Sequence, residues 1–479
     1  MTSINNKVVS ATKWSTITEI AAKLVSPITT MVLARLLTPA DFGVLVTATM
    51  VISFSEIFTD AGFQKYLIQH QFKTDSDLHR TTTVAFWSNL VMSLVIWLAI
   101  IIFSGPIAEL VGNPGRGNVI AISCVCIPLA AFSSIQMALF KRKFDFRTLF
   151  YVRIVGILIP IIVTIPLAFF TRSYWALIVG MIALNASNAI ILTLKSEWKP
   201  RLFYDWSLFK GMFSFSFWSM IEAVSIWLTS YVDIFIVGRL LNEHYLGIYR
   251  TSMSTVGQIM SLITAATTPV LFSALSRLQD DDAEFRRLFF KFQKTVAILV
   301  IPLGVGIYLF RGLVTDILLG HQWIEAANFI GLWGLTGSVT IVLSHYCSEI
   351  YRAKGRPKLS VLAQVLHICC IVPVVLWSIN YGFDFLCEMR SLVRLTLIVI
   401  NLTILYFLCK ISPITMVRNI LSSIVGALAI VLLFIILPDA DKAFLQVSYG
   451  IGCCIIYVAV ILMFKENRNV LSNFKLKRR

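Results

Sequence analysis

The chain has 479 residues, of which 57% are hydrophobic and 14% charged, with a formal net charge of +16. Soluble domains carry roughly 25% charged residues, so this composition excludes an ordinary globular protein. The basic excess sits in separate short loops, which also sets aside a nucleic-acid-binding surface.

Bilayer-length apolar runs give the class directly. Residues 85–103 and 420–438 carry no charge, and each is close to the ~20 residues a helix needs to cross about 30 Å of hydrocarbon. A backbone in lipid must satisfy its own hydrogen bonds, so these runs are helices. The alternating ten-residue segments of a β-barrel are missing. The expected fold is therefore an all-α integral membrane protein.

In chain order, hydropathy predicts fourteen spans, at 12–34, 42–63, 83–103, 119–140, 150–170, 174–194 and 210–233, then 245–272, 290–310, 326–350, 359–379, 385–409, 419–437 and 444–464. The first contains Glu19 and Lys23 and is followed by no small-residue cleavage site, so it is expected to stay as a membrane helix rather than a signal. The connections are short. Lys and Arg alternate between them, and 30 of the 41 basic residues fall on the side that holds both termini. The positive-inside rule makes that side cytoplasmic. The other side holds only Arg35, Arg116, Arg172, Arg239, Arg250, Arg311 and Lys442. The nine cysteines have no metal-ligand spacing and read as small buried hydrophobes. No metal site or cofactor is expected, and without a phosphate-binding loop the chain shows no sign of ATP hydrolysis.

One turn is written twice. Arg35, Leu36, Leu37 and Gly43 recur as Arg239, Leu240, Leu241 and Gly247, at a constant offset of 204. A second pair, 138–147 and 349–358, matches at an offset of 211. The repeat predicts two six-helix lobes, 1–205 and 206–410, followed by two extra helices and a basic tail in 411–479. Six is even, so the lobes are parallel, related by an axis along the membrane normal. Lobes so related can rock about a central site, which suggests a transporter.

Charges at bilayer depth cost about 2.5–3.5 kcal/mol on insertion scales and usually face a wet interior or a partner. Glu19 and Lys23 lie four apart and read as a neutral pair or as cavity residues. Glu222 lies 203 residues after Glu19, at nearly the equivalent place in span seven. Carboxylates facing across a cavity would suit reversible proton binding. Asp233 follows three turns later, at the same face or at the rim. Glu56 and Asp60 are also four apart, and Asp60 reads as a structural cap in the Asp60-Ala61-Gly62-Phe63 turn. Arg153 snorkels or binds an anion. Arg390 and Arg394 share one face of span twelve. Such a pair could fork onto pyrophosphate or a uronic acid, or pair with Glu388. His345 and His367 read as packed. Of Trp218 and Trp227, nine apart, at most one could stack on a sugar.

The motifs Ala11-Thr12-Lys13-Trp14, Leu33-Ala34-Arg35, Asp41-Phe42-Gly43, Asp60-Ala61-Gly62-Phe63 and Ile68-Gln69, with 269–281 and 318–326 later, resemble the polysaccharide-transporter (PST) family of the MOP superfamily. Within it, the opening and the fourteen-span layout resemble the Wzx-type flippases of the colanic-acid exporter branch. The resemblance implies a non-enzymatic flippase of the bacterial inner membrane. Its substrate would be an undecaprenyl-pyrophosphate-linked oligosaccharide destined for exopolysaccharide, capsule or O-antigen, with ion coupling. Membrane lipids, a polysaccharide polymerase and a chain-length regulator are the implied partners. The sequence leaves a small-molecule or drug:cation antiporter of the same superfamily as the alternative. On these readings the substrate-binding candidates are Arg390, Arg394, Lys23 and Arg153, and the ion-coupling candidates Glu19, Glu222 and Asp233.

Overall fold

The computed structural model describes residues 2–60, 62–356, 358–438, 443–464 and 467, and among these no strand occurs. Among the described residues, thirteen helices are long and apolar enough to cross a membrane, and a bent pair, Pro413–Asn419 with Leu421–Ile436, brings the number to fourteen if it counts as one span. The expected order of spans is thus present. The thirteenth differs from expectation, because it breaks by 54°. Asn419 holds the break by donating to the carbonyl of Phe290 at 2.8 Å and to Gln293 Oε1 at 3.0 Å. The chain forms two compact units, Met1–Arg250 and Thr251–Arg479.

In Met1–Arg250, local chemistry sets several helix starts. The Thr74 hydroxyl accepts from Asp77 N at 3.1 Å and opens Asp75–Ile102. Asp145 caps Phe146–Ile159 and Asp205 caps Trp206–Leu240 in the same way. A side-chain oxygen on an otherwise orphaned helix N–H is worth about 1 kcal/mol. A core of Phe63, Leu67, Phe86, Ile135 and Trp198 joins the helices at the basic-loop end. The fifth span contains a π-turn, Pro160–Thr164, which sets Thr164 against Gly180; a Cβ at Gly180 would lie 2.0 Å from the Thr164 hydroxyl.

In Thr251–Arg479, the tenth span runs through the interior. Of its most apolar window 72% is buried, against 11% for the fifth span in the other unit. It packs on Asp282–Leu309 through small residues: a Cβ on Gly304 would meet Ser338 Oγ at 2.2 Å, and one on Gly334 would meet Ile307 at 2.6 Å. Helices in lipid lack a hydrophobic drive toward one another, so close backbone approach at Gly and Ser holds them. Tyr457 of the last span donates to the Ile298 carbonyl at 3.0 Å.

The outer faces are apolar and accessible, as lipid contact requires; Phe170, Phe407 and Ile436 are each about four-fifths exposed, at 81%, 78% and 79%. Two cysteines depart from expectation. Cys369 and Cys454 are exposed rather than buried, because their side chains fall on outward faces.

Candidate functional site

Two charged constellations stand inside the apolar helices, one in each unit. In Met1–Arg250 a cavity of about 430 Å³ opens beside the end of the second span, Pro39–Asp60. Glu56 and Asp60, one helical turn apart, line it together with Asn89, Ser134, Asn185 and Asn188. The third, fourth and sixth spans supply those amides and the hydroxyl. Asn89 Nδ2 donates to Ser134 Oγ at 2.7 Å, which leaves its carbonyl oxygen buried with no hydrogen-bond partner among the described residues. Asp60 Oδ1 is in the same state, although Gln64 hydrogen-bonds the carboxylate. A buried acceptor without a donor costs about 1–3 kcal/mol. With these carboxylates, amides and Lys65 along its wall, the hollow can take a proton, a cation or water. Trp227 holds one lining residue, Ser53: its Nε1 donates to Ser53 Oγ at 3.0 Å, and its ring packs on Phe54 and Tyr231.

In Thr251–Arg479, Arg390 and Arg394 both lie over the indole of Trp333. Their guanidinium carbons are 5.0 and 4.2 Å from the ring centre. Arg390 is buried. Arg394 Nη1 also reaches the Trp333 carbonyl at 3.4 Å, and it rests on Gly337, where a Cβ would lie 2.9 Å away. Any larger residue at 337 would push the guanidinium off its seat. Arg394 stands at a break between the helices Phe383–Val393 and Thr396–Cys409. Nearby, Asn401 receives a bond from Tyr351 at 2.8 Å and donates to Ser344 at 2.7 Å, beside the π-turn Ile341–His345.

The polysaccharide biosynthesis protein family matches residues 32–328. The chain belongs to that family. Among relatives, an uncharacterized membrane protein in the cps region of Klebsiella pneumoniae is 23% identical over 382 residues, covering 78% of this chain and 77% of the relative. The lipopolysaccharide biosynthesis protein WzxC of Escherichia coli K12 is 21% identical over 375 residues, covering 78% and 75%. A solved structure of the lipid II flippase MurJ in an inward closed conformation shares the fold, with a TM-score of 0.72 at 14% identity over 94% of this chain and 98% of that one. The protein is thus a multi-pass membrane protein of the polysaccharide biosynthesis family, with the fold of the lipid II flippase.

The residues picked out from the sequence of this family member fall in different settings. Arg390 and Arg394 come together as the spacing suggested, while Glu388 is exposed. Asp233 is buried and fully engaged, with Oδ1 accepting from Ile234 N at 2.9 Å and Oδ2 from the Tyr249 hydroxyl at 3.0 Å. Glu19 and Arg153 are exposed on their helices, and Lys23 is partly buried. The side chains of Glu222 and Trp218 lie outside the described residues. His367 pairs with Thr396 Oγ1 at 3.0 Å and His345 with Thr268 Oγ1 at 3.4 Å.

Sequence reasoning gave Asp60 a capping role and passed over the Asn residues. The signal that could have found the cavity is the recurrence of Asn at 89, 185 and 188 inside otherwise apolar runs.

Proposed function

We propose that this protein flips undecaprenyl-pyrophosphate-linked oligosaccharide repeat units across the bacterial inner membrane by alternating access, with both termini in the cytoplasm. The observation that carries the substrate reading is the pair of guanidiniums on Trp333. Two guanidiniums held side by side over one indole present an array of forked donors that an anion can engage. A pyrophosphate or a uronate does so through paired forks. The indole face adds a surface against which a sugar ring can stack.

Ion coupling falls to the carboxylate cavity. Glu56 and Asp60 suit reversible uptake of a proton or a monovalent cation, with Asn89 and Asn185 as neutral oxygen donors. Glu222 and Glu19 remain candidates in the same role. Polymerisation outside would fall to a separate polymerase and chain-length regulator.

The test is deletion with complementation. Loss of the gene should abolish surface polysaccharide and accumulate lipid-linked repeat units, and the wild-type chain should restore export. Unchanged polysaccharide in the deletion strain would remove the assignment. The acidic cavity also fits a second reading, a drug:cation antiporter. Under that reading, deletion would raise sensitivity to cationic drugs and leave lipid-linked intermediates at their usual level.

A further inference from the structure

The duplicated turn has a physical partner: itself. Within Met1–Arg250, a Cβ built on Gly43 would lie 1.8 Å from the carbonyl oxygen of Glu243. A Cβ built on Gly247 would lie 1.8 Å from the carbonyl oxygen of Pro39. Pro39 and Glu243 each open a helix, and they are separated by the same 204 residues as Gly43 and Gly247. The two copies therefore meet reciprocally, about a pseudo-two-fold axis, with backbone against backbone. No residue other than glycine fits at either crossing.

A third glycine brings in a clamp. Gly112, at φ +86°, presses its Cα on the backbone of Gly238, where a Cβ would meet the carbonyl at 1.5 Å. This seats the loop that carries Arg116. Arg116 Nε and Nη2 then fork onto the two carboxylate oxygens of Glu243 at 2.9 and 2.5 Å. The guanidinium also covers the Tyr174 ring at 4.9 Å. Tyr174 N donates to Asp41 Oδ1 at 2.8 Å, and Asp41 Oδ2 holds the turn through Thr38 N at 2.9 Å. One polar chain thus runs from Glu243 in the second copy to Asp41 and Thr38 in the first.

We propose that this seam is the outer gate of the transporter and that Arg116 and Glu243 are its latch. The inference rests on the flippase reading and on the positive-inside assignment of these turns to the outer face. Two features suit a gate better than a permanent strut. Glycine crossings interlock no side chains, so parting them uncovers little apolar surface. The ion pair is about one-third exposed, at 32% and 27%, so water can take over its hydrogen bonds as it opens. Rotation of one repeat against the other about the shared axis would release both glycine contacts together. That answers why the turn is written twice.

The test places Arg116→Cys and Glu243→Cys in the full chain and bridges them in whole cells with a membrane-impermeant bifunctional methanethiosulfonate. Each single-cysteine variant, with the same native cysteines, is the control. We expect the bridge to form, export to stop, and dithiothreitol to restore it. Export that continues in the bridged protein overturns the gate, as does failure of the bridge to form. A second arm uses Leu37→Cys, a position only 1% exposed within the first turn. Adding Arg116→Glu should raise its reactivity to an impermeant maleimide, and adding Glu243→Arg as well should lower it again. Unchanged reactivity in the Arg116→Glu background counts against the latch. If the deletion strain itself still exports, it is the transport reading that fails and not the gate.

Discussion

The cavity of Met1–Arg250 and the cation cluster of Thr251–Arg479 start from the same sequence pattern and end differently. Glu56 with Asp60 and Arg390 with Arg394 are each like-charged pairs four residues apart in an apolar span. The carboxylates end at the wall of a hollow lined by amides and hydroxyls. The guanidiniums end packed on an indole. The chemistry of the groups accounts for the contrast. A carboxylate is compact, strongly hydrated and only accepts hydrogen bonds, so it needs donors or water around it. A guanidinium is planar and weakly hydrated, and an aromatic face can cover it. The lesson is that one charge pattern marks a wet site when it is acidic and can mark a packed one when it is basic.

The strongest way to break that comparison is to remove the cations. Arg390→Ala with Arg394→Ala should reduce export roughly tenfold or more, since each charged hydrogen bond to a substrate anion is worth about 1.5–3 kcal/mol. The readout is surface polysaccharide, normalised to membrane-inserted protein. If the pair merely braces the fold, that abundance falls instead. Lysine at both positions separates charge from shape. It keeps the charge but loses the planar fork and the stacking on Trp333, so it should restore little export. Full export in the lysine double variant would show that charge alone suffices.

The acidic pair should give a smaller loss with a different signature. Glu56→Gln with Asp60→Asn keeps the hydrogen-bonding shape of the cavity and removes the titratable groups. Export should fall several-fold, and its dependence on pH or on sodium should flatten. General acid–base roles are recognised by just such a change in profile. A lower rate with the same profile would place the coupling elsewhere, with Glu222 the next residue to test.

How much of this was legible beforehand follows from the same chemistry. The number and order of spans could be read because a bilayer imposes length and apolarity on each helix. The 54° break in the thirteenth could not: it depends on Asn419 reaching Phe290 and Gln293, more than a hundred residues back in the chain. The meeting of Arg390 and Arg394 follows from helical spacing, but their partner Trp333 lies on another span and no local pattern points to it. Asp60 was read through its turn, where Gln64 does hold it; its second face, toward the cavity, is set by Asn89 and Asn185 on other helices. Asp233 shows the converse. Its place three turns after Glu222 points to coupling or to the rim, and what the sequence hides is that Tyr249 occupies the oxygen left over by the backbone.

Packing offers a finer version of the contrast. Gly304→Ala in the second unit drives a methyl group into Ser338 and the Gly334 backbone, and overpacking of that kind costs about 1–3 kcal/mol. Ser133→Ala at the cavity wall of the first unit adds no atom and removes one hydrogen bond, to the Ala130 carbonyl, so it should cost only about 0.5–1.5 kcal/mol. Thermal unfolding in nanodiscs compares the two. Equal losses would mean that the first unit is as tightly packed at its cavity as the second is at its interior.

The smallest effect belongs to charge outside the membrane. Glu197 lies in the loop after the sixth span and pairs with Lys143, which holds its carboxyl below the ordinary glutamate range. A depressed carboxyl stabilises the folded state above its unfolded pKa, and that contribution is lost as pH falls through the folded value. The sign therefore predicts any benefit at neutral pH and none in acid. Both side chains are largely in water, at 58% and 83% exposure, where salt screens the pair. Glu197→Gln should leave the melting temperature at pH 7 unchanged within error, and more so at high ionic strength. A clear loss at pH 7 that vanished in acid would mean that the loop is fastened by this pair, and that charges at the membrane surface matter here as much as those within it.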